Sequence, residues 1–374
     1  MTTMSTTDYR HLFPVTEHYT YLNHAACSPM SRPGLEALAR YWAEQSAQGV
    51  LSEPKYFPVI DQAREKMARL IGAEPSEVGW LQNTSTALNM VANGLDWQPG
   101  ENVVTVQGEF PANIYPWLGL ARLGVETRLV PQRDNRVLVD DIAAAMDAST
   151  RMLSISFVEF ATGFRNDLCA LGQLCRERGV LFTVDAIQGL GALQLDVHAA
   201  GIHFMGAGAH KWLMGPQGVG VFYVHRDAMS LLRPLTANWY SVVNRDDYLT
   251  YGQPWVNANS RIEGSTHNVS GLVAFDAILA MLLEVGPSHI EAQVLHLAAR
   301  LMEGLRSKGY ELVSSDREGE RSGVVCFRAH RDPLEILARA QAENIIVAVR
   351  VGVVRVSPHF YNTEEEIDHF LSVL

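Results

Sequence analysis

The sequence predicts an α/β protein: a large domain built on a mostly parallel sheet covered by helices, followed by a smaller α+β C-terminal domain. Three observations predict it. Between residues 103 and 224, short apolar strands alternate with helix-like segments, the pattern of a parallel sheet whose crossovers pack on its faces. A long periodic region, 269–307, follows the polar segment QPWVNANSRIEGSTHN. The tail then carries two strand-like runs, GVVCFRA and NIIVAVRVGVVRVS, with helix candidates at 333–343 and 363–373. At 374 residues and 47% hydrophobic content, the chain can bury one large core and a second, smaller one.

In chain order, a polar arm over 1–20 leads into YLNHAACSPMSRP, a turn or strand end, and 33–47 has the spacing of a helix. A second helix over 59–71 stops at GAEPSE, and a third begins near Thr84 after the polar step LQN. The strands are VVTV (103–106), ETRLV (126–130), MLSISFV (152–158), LFTVDA (181–186) and GVGVFYV (218–224). Helices fall between them at 112–123, 138–147 and 167–178. The large domain is expected over 21–260, and the small one over 261–374 with a long linking helix. The oiliest stretch, LVAFDAILAMLLEVG, is interrupted by Asp276 and Glu284. It falls short of the roughly 20 residues of a membrane span, so it reads as a buried helix and no membrane partner is expected.

Thirty basic residues against forty-one acidic ones give a net charge of −11. No basic run is present, which argues against a nucleic-acid partner, because phosphate backbones need a local cationic footprint. A cleft can still hold a small anion. Cys27, Cys169, Cys175 and Cys326 are scattered, without a metal-ligand pair or a dense disulfide pattern. The start, MTTMSTTDYR, has no basic segment followed by an apolar one, so a reducing, cytoplasmic setting is expected. The basic set is lopsided, with 26 Arg and only four Lys, at 55, 66, 211 and 308.

One of those lysines stands apart. Lys211 lies in AGAHKWLMGPQGVGVFYV, among small residues and a glycine-rich turn, surroundings that can desolvate an amine, lower its pKa and expose the neutral nucleophile. Asp185 ends the strand FTVD and Gln188 follows three residues later. An acid at a strand end is by itself as consistent with capping a turn as with chemistry. GPQGVG follows the lysine turn and no early strand-associated GxGxxG exists, so a dinucleotide-binding domain is disfavoured.

Together, VDAIQGLGA, AGAHKWLMGPQGVGVFYV, RIEGSTHN and RVSPHFYNTEEEID resemble the class V aminotransferase family of fold type I pyridoxal-phosphate enzymes, which includes cysteine desulfurases, kynureninases and isopenicillin N epimerase-like proteins. The resemblance runs over nearly the whole chain. It implies pyridoxal 5′-phosphate bound covalently to Lys211 as an internal aldimine, with Lys211 moving protons once the amino acid displaces it. Asp185 would pair with the pyridine nitrogen and keep the ring electron-poor, and Gln188 would donate to its phenolic oxygen. His210 adjoins the lysine, as a structural residue or one touching cofactor or substrate.

The same resemblance makes Thr84, Ser85 and Thr86, at a helix start, the phosphate cradle, where hydroxyls and unpaired backbone donors converge on an anion. Thr266 would be supplied by the second subunit of a homodimer. Phe110, in QGEFPANIYPW, falls where an aromatic ring covers the cofactor; it can stack but cannot exchange a proton. Asn23 and His24 belong to the N-terminal active-site segment, and Arg355 would grip the substrate carboxylate through its planar fork. Arg350, Arg165 and Glu159 are weaker pocket candidates.

The resemblance leaves the reaction open. VAVRVGVVRVS runs without a Cys or room for the loop that carries a sulfur-accepting Cys in one desulfurase group, and Cys326 lies in an apolar strand pattern. A persulfide-forming desulfurase is therefore disfavoured. β-Elimination on a β-substituted, sulfur-bearing amino acid is preferred, with transamination to a 2-oxo acid close behind and α-carbon epimerisation third. A dimeric binding protein that kept the cofactor fold is the non-enzymatic alternative, and the joint presence of Lys211, Asp185 and Arg355 weighs against it.

Overall fold

The structure is a computed structural model that describes residues 7–264, 266–330 and 332–374; the first six residues of the expected arm lie outside them. The chain enters through strand β1 (Thr20–Tyr21) and helix α1 (Arg32–Gln48). Helix α2 (Glu53–Ile71) begins six residues earlier than its spacing predicts. Pro54 sits in its first turn and Pro58 within the helix near its start, where prolines look like breakers but cost least. Strand β2 (Val78–Leu81) and helix α3 (Thr84–Gly94) follow.

The alternating segment then forms β3 (Asn102–Val106), β4 (Glu126–Val130), helix α4 (Val139–Ala145), β5 (Thr150–Ser156), helix α5 (Leu168–Arg178), β6 (Leu181–Asp185), β7 (Phe204–Gly208) and β8 (Gly220–Val224). The helix expected over 112–123 is instead a chain of short turns, because Pro116 and Gly119 interrupt it. The strands make one seven-stranded sheet in the order β2-β8-β7-β6-β5-β3-β4. Its five central and far strands pair in parallel, while β8 and β2 add on antiparallel.

Alternation along each strand sends side chains to two cores. On β6, Phe182 and Val184 face one helix layer together with Phe275 and Leu279, while Leu181 faces the other with Leu88, Val91 and Phe204. Each fully buried side chain of this kind contributes about 1.5–3 kcal/mol. Close approach matters on β7, where a Cβ on Gly206 would lie 2.7 Å from the Ala87 Cβ. That glycine lets α3 settle onto the sheet with its N-terminus beside the strand ends.

The long periodic region is two helices, α6 (Val269–Val285) and α7 (Pro287–Ser307), bent by 78°. Gly286, at φ 92°, and Pro287 break what the pattern presents as one linking helix. Among the described residues, no single helix is long and apolar enough to cross a membrane. Packing passes from one core to the other along α7, whose Ile290 and Val294 still belong to the large core. Helix α6 joins the large core through Leu272, Phe275, Ile278 and Leu282, whereas Leu297, Leu301 and Leu305 of α7 join a separate core.

That second core lies against β9 (Glu311–Leu312), β10 (Val325–Arg328), helix α8 (Pro333–Ala342), β11 (Ile345–Ile346), β12 (Ala348–Arg350), β13 (Val353–Val356) and helix α9 (Glu364–Ser372). The run NIIVAVRVGVVRVS is thus three strands, not one. Val351 and Gly352 both take positive φ, 49° and 75°, and reverse the chain between β12 and β13 in a two-residue turn. Strand β1 pairs in parallel with β11, and Asn23 bridges Ser357, so the N-terminal segment is stitched to the C-terminal sheet.

Candidate active site

The parallel strands end at one edge, and the catalytic candidates collect there. Asp185 closes β6 and is 2% exposed, its Oδ1 accepting from the Ile187 N–H at 3.0 Å. Burial raises its pKa to about 6, opposed by that hydrogen bond and by Lys211. A cation brought against it would draw it back toward the charged form. Lys211 follows β7 by three residues, and its Nζ makes no hydrogen bond with any described residue. Burial lowers its pKa to about 8, Asp185 opposes that change, and Arg355 and Arg350 add to it.

These groups face a cleft of about 310 Å³ lined by Ala25, Ala26, Asn83, Thr84, Ser85, Phe110, Ala112, Phe160, Asp185, Ile187, Gln188, His210, Lys211, Arg350 and Arg355. That is the scale of a small-ligand site. A larger cavity, about 590 Å³, lies apart and carries no amine nucleophile. Arg165 belongs to that second cavity. It is tied to Glu291 at 2.6 Å, so it leaves the candidate site.

The Gln188 amide has a fixed orientation. Its Oε1 accepts from the Trp212 indole N–H at 3.0 Å, and its Nε2 donates to the Ala25 carbonyl at 3.0 Å. His210 is half-buried on the cleft wall, with its pKa lowered by burial and then by Lys211. The ring fits there because Gly208 has no Cβ, which would approach the imidazole to 2.9 Å. The Phe110 ring is 45% exposed to the cleft, packs edge-on against Phe160, and stands 5.7 Å from Lys211 Nζ.

At the start of α3, Asn83 caps the helix by accepting from the Thr86 N–H at 2.9 Å, and the Thr86 hydroxyl also donates to it. Thr84 Oγ1 accepts from the Gly208 N–H at 2.9 Å. Thr84 and Ser85 therefore line the cleft, while Thr86 serves the cap behind them. The helix starts at Thr84, where the sequence predicts it, and the residues of its N-terminus that line the cleft are Asn83, Thr84 and Ser85.

Three other expected residues lie elsewhere. His24 is fully buried, its Nδ1 2.9 Å from the Ser357 carbonyl and its Nε2 2.7 Å from the Tyr361 hydroxyl. With both nitrogens occupied, it fastens the N-terminal segment to the C-terminal sheet and does not face the cleft. Asn23 bridges beside it with a buried, unpartnered Oδ1. Thr266 is exposed and lines a small separate cavity with Gln82, Gly218 and His267, outside this chain's own cleft.

Sequence reasoning passed over Phe160, Asn83 and Glu109. The LQNTST step does carry an N-cap signature for Asn83. Glu109 is buried beside Asp185 and Glu159; both glutamates are driven toward the protonated form, first by burial and then by neighbouring carboxylates. Ser156 binds Glu109 through its N–H and hydroxyl, each at 2.5 Å, and Asn166 holds Glu159 at 2.9 Å. Arg355 is 2% exposed, donates Nη1 to the Phe160 carbonyl at 3.3 Å, and keeps Nε buried without a partner.

The model of the family described as Aminotransferase class-V matches residues 20–370. The chain belongs to that family. It is 29% identical to a probable cysteine desulfurase of Methanothermobacter thermautotrophicus, over 97% of this chain and 96% of that one. It is 28% identical to an uncharacterized aminotransferase, YcbU, of Bacillus subtilis, over 96% and 95%. Among solved structures, the apo cysteine desulfurase of Thermococcus onnurineus NA1 superposes with a TM-score of 0.90 at 26% identity, over 98% of this chain and 96% of that one.

This is accordingly a pyridoxal-phosphate-dependent enzyme of the class V aminotransferase family, and the residues fit the cofactor. An unbonded amine, a buried acid, a helix N-terminus carrying hydroxyls and an orphaned guanidinium Nε converge on one cleft. They supply, respectively, a partner for an aldehyde, for a ring nitrogen, for a phosphate and for a carboxylate.

Proposed function

We propose that the protein is a β-eliminating lyase acting on a β-substituted amino acid with a carbon–sulfur bond, with pyridoxal phosphate held covalently by Lys211. Bound there, the cofactor supplies an electron sink for negative charge developing at the substrate α-carbon. Asp185 would pair with the ring nitrogen, and Gln188, oriented by Trp212, would offer its second amide proton to the phenolic oxygen. Thr84 and Ser85 would hold the phosphate, and Phe110 would cover the ring and exclude water. Arg355 takes the α-carboxylate. Once displaced by the substrate amine, Lys211 would be free to take the α-proton; the C–S electron pair would leave with sulfur as a thiolate, and water would convert the released unsaturated amine, through its imine, to pyruvate and ammonia.

The observation that carries this reading over sulfur transfer is the β12–β13 turn. It holds only Val351 and Gly352, and no described cysteine lines the cleft. Cys326 is buried on β10 with its thiol pushed up to about 12 by burial. Cleaved sulfur therefore leaves on a small molecule. Transamination is the second reading, supported by the likeness to the uncharacterized aminotransferase.

We also infer a homodimer in which Thr266 reaches the partner's cofactor phosphate. Its exposed position outside this chain's cleft supports that, as do Tyr248, Leu249, Tyr251 and Trp255, an apolar group exposed on the preceding segment. To test the reaction, the holoenzyme is supplied with S-substituted cysteines and products are followed by mass. Pyruvate, ammonia and thiol released in equal amounts without a 2-oxo acid are expected. Amino transfer that appears only with an acceptor would overturn elimination. Borohydride reduction followed by peptide mapping is expected to place the adduct on Lys211.

A further inference from the structure

The run VAVRVGVVRVS places two arginines five residues apart, and the hairpin brings them together. Ala348 pairs with Arg355 and Arg350 pairs with Val353 across β12 and β13. Directly opposed residues share a face and alternate residues on one strand share a face, so Arg350 and Arg355 project to the same side. As diagonal neighbours their Cα atoms are separated by roughly 7–8 Å. Small Ala348 and Cys326 flank Arg355 on the two adjoining strands, leaving its side chain room to lie along the sheet.

Both arginines line the catalytic cleft. Arg355 is deep and Arg350 is exposed at its edge. No described carboxylate lies within ion-pair distance of either. The contrast with their surroundings is sharp, since Arg328 on the adjoining strand pairs with Glu311, and Arg136 and Arg165 pair with Glu320 and Glu291. Within a chain of net charge −11, two acid-free guanidinium groups on one hairpin face form a bidentate surface for anions. Arg350 Nη1 reaches only the Val349 carbonyl, at 2.8 Å.

We infer that the cleft selects an amino acid whose side chain ends in a second carboxylate, bound by Arg350 at the mouth while Arg355 holds the α-carboxylate below. This rests on the proposed placement of the substrate and adds its class. A neutral side chain leaves Arg350 in water at no penalty, so the subsite discriminates by gain, through a charge-assisted bond that a neutral analogue lacks. On the elimination reading, the departing thiolate carries that carboxylate away.

The test compares S-carboxymethyl-L-cysteine with its near-isosteric neutral analogue, S-carbamoylmethyl-L-cysteine. Binding to the holoenzyme is read by calorimetry and by the change in visible absorbance, and pyruvate is measured separately. The wild type is expected to bind the carboxymethyl compound about tenfold or more tightly, in keeping with one charge-assisted bond. Arg350→Gln should bring the two within about twofold by weakening only the acid, and Arg350→Lys should restore part of the preference. Equal affinities in the wild type, a preference that survives in Arg350→Gln, or binding of neither compound would overturn the subsite. If the preference holds but no pyruvate forms, elimination fails and the subsite stands; pyruvate from both at equal affinity gives the reverse.

Discussion

Lys211 differs from the other lysines in what surrounds it. Lys55 is exposed on Glu44 and Lys66 is bound to Asp276 at 2.5 Å, whereas Lys211 is half-buried without an ion-pair partner among the described residues, with Asp185 favouring its charge and Arg355 and Arg350 opposing it. An amine with a pKa of about 8 is roughly one-tenth neutral at pH 7, where an ordinary lysine would be almost wholly protonated. Capture of added pyridoxal phosphate by the cofactor-free protein should therefore quicken as pH rises and level off above about 8, measured by stopped-flow absorbance. The signs of two variants follow. Arg350→Gln removes a cation that disfavours the ammonium, so the midpoint should move up in pH, whereas Asp185→Asn removes an anion that favours it, so the midpoint should move down.

At the scale of elements, the segment bearing Thr266 is held by a buried clamp that composition does not reveal. Glu263 is fully buried, binding Arg64 Nη1 at 2.6 Å, the Trp80 N–H at 2.7 Å and His267 Nε2 at 3.1 Å. Burial pushes its pKa up, but Arg64 and His267 outweigh that and hold it below the usual carboxylate value. Glu263→Ala strands the Arg64 guanidinium against Trp80, so it should cost about 3–5 kcal/mol in urea unfolding. Legibility follows the same division between local and long-range causes. Strands rich in branched residues, such as β4 and β6, are plain in the sequence. VGWL and FMGAG, which form β2 and β7, are not, because glycine lowers their local β preference and burial between neighbours supplies it instead. Lys211, Asp185, Gln188 and Arg355 are legible through their motifs. The shared face of Arg350 and Arg355 is not, because it depends on a reversal at Val351, a branched residue rarely found at positive φ. His24 misleads for a related reason: its partners, Ser357 and Tyr361, lie more than 330 positions away.

For the whole molecule, the cleft lies where contributions from distant parts of the chain meet. The large sheet provides Asp185 and Lys211, the C-terminal hairpin provides Arg350 and Arg355, and the N-terminal segment closes the wall through the Gln188–Ala25 bond and the Ser28 N–H on the His210 carbonyl. Thr266 stands outside this assembly, so its proposed role requires a second copy, and subunit mixing tests that directly. Lys211→Ala lacks the nucleophile in its own cleft, and Thr266→Ala lacks the hydroxyl it would lend to its partner, so each homodimer should be impaired. In a mixed dimer, the cleft with an intact Lys211 borrows Thr266 from the Lys211→Ala chain and is complete, while the other cleft has neither. Equal mixing with free exchange makes half the dimers mixed with one complete site each, so about a quarter of wild-type activity should return. Activity that never exceeds the average of the two variants would show that Thr266 does not act in the partner's cleft.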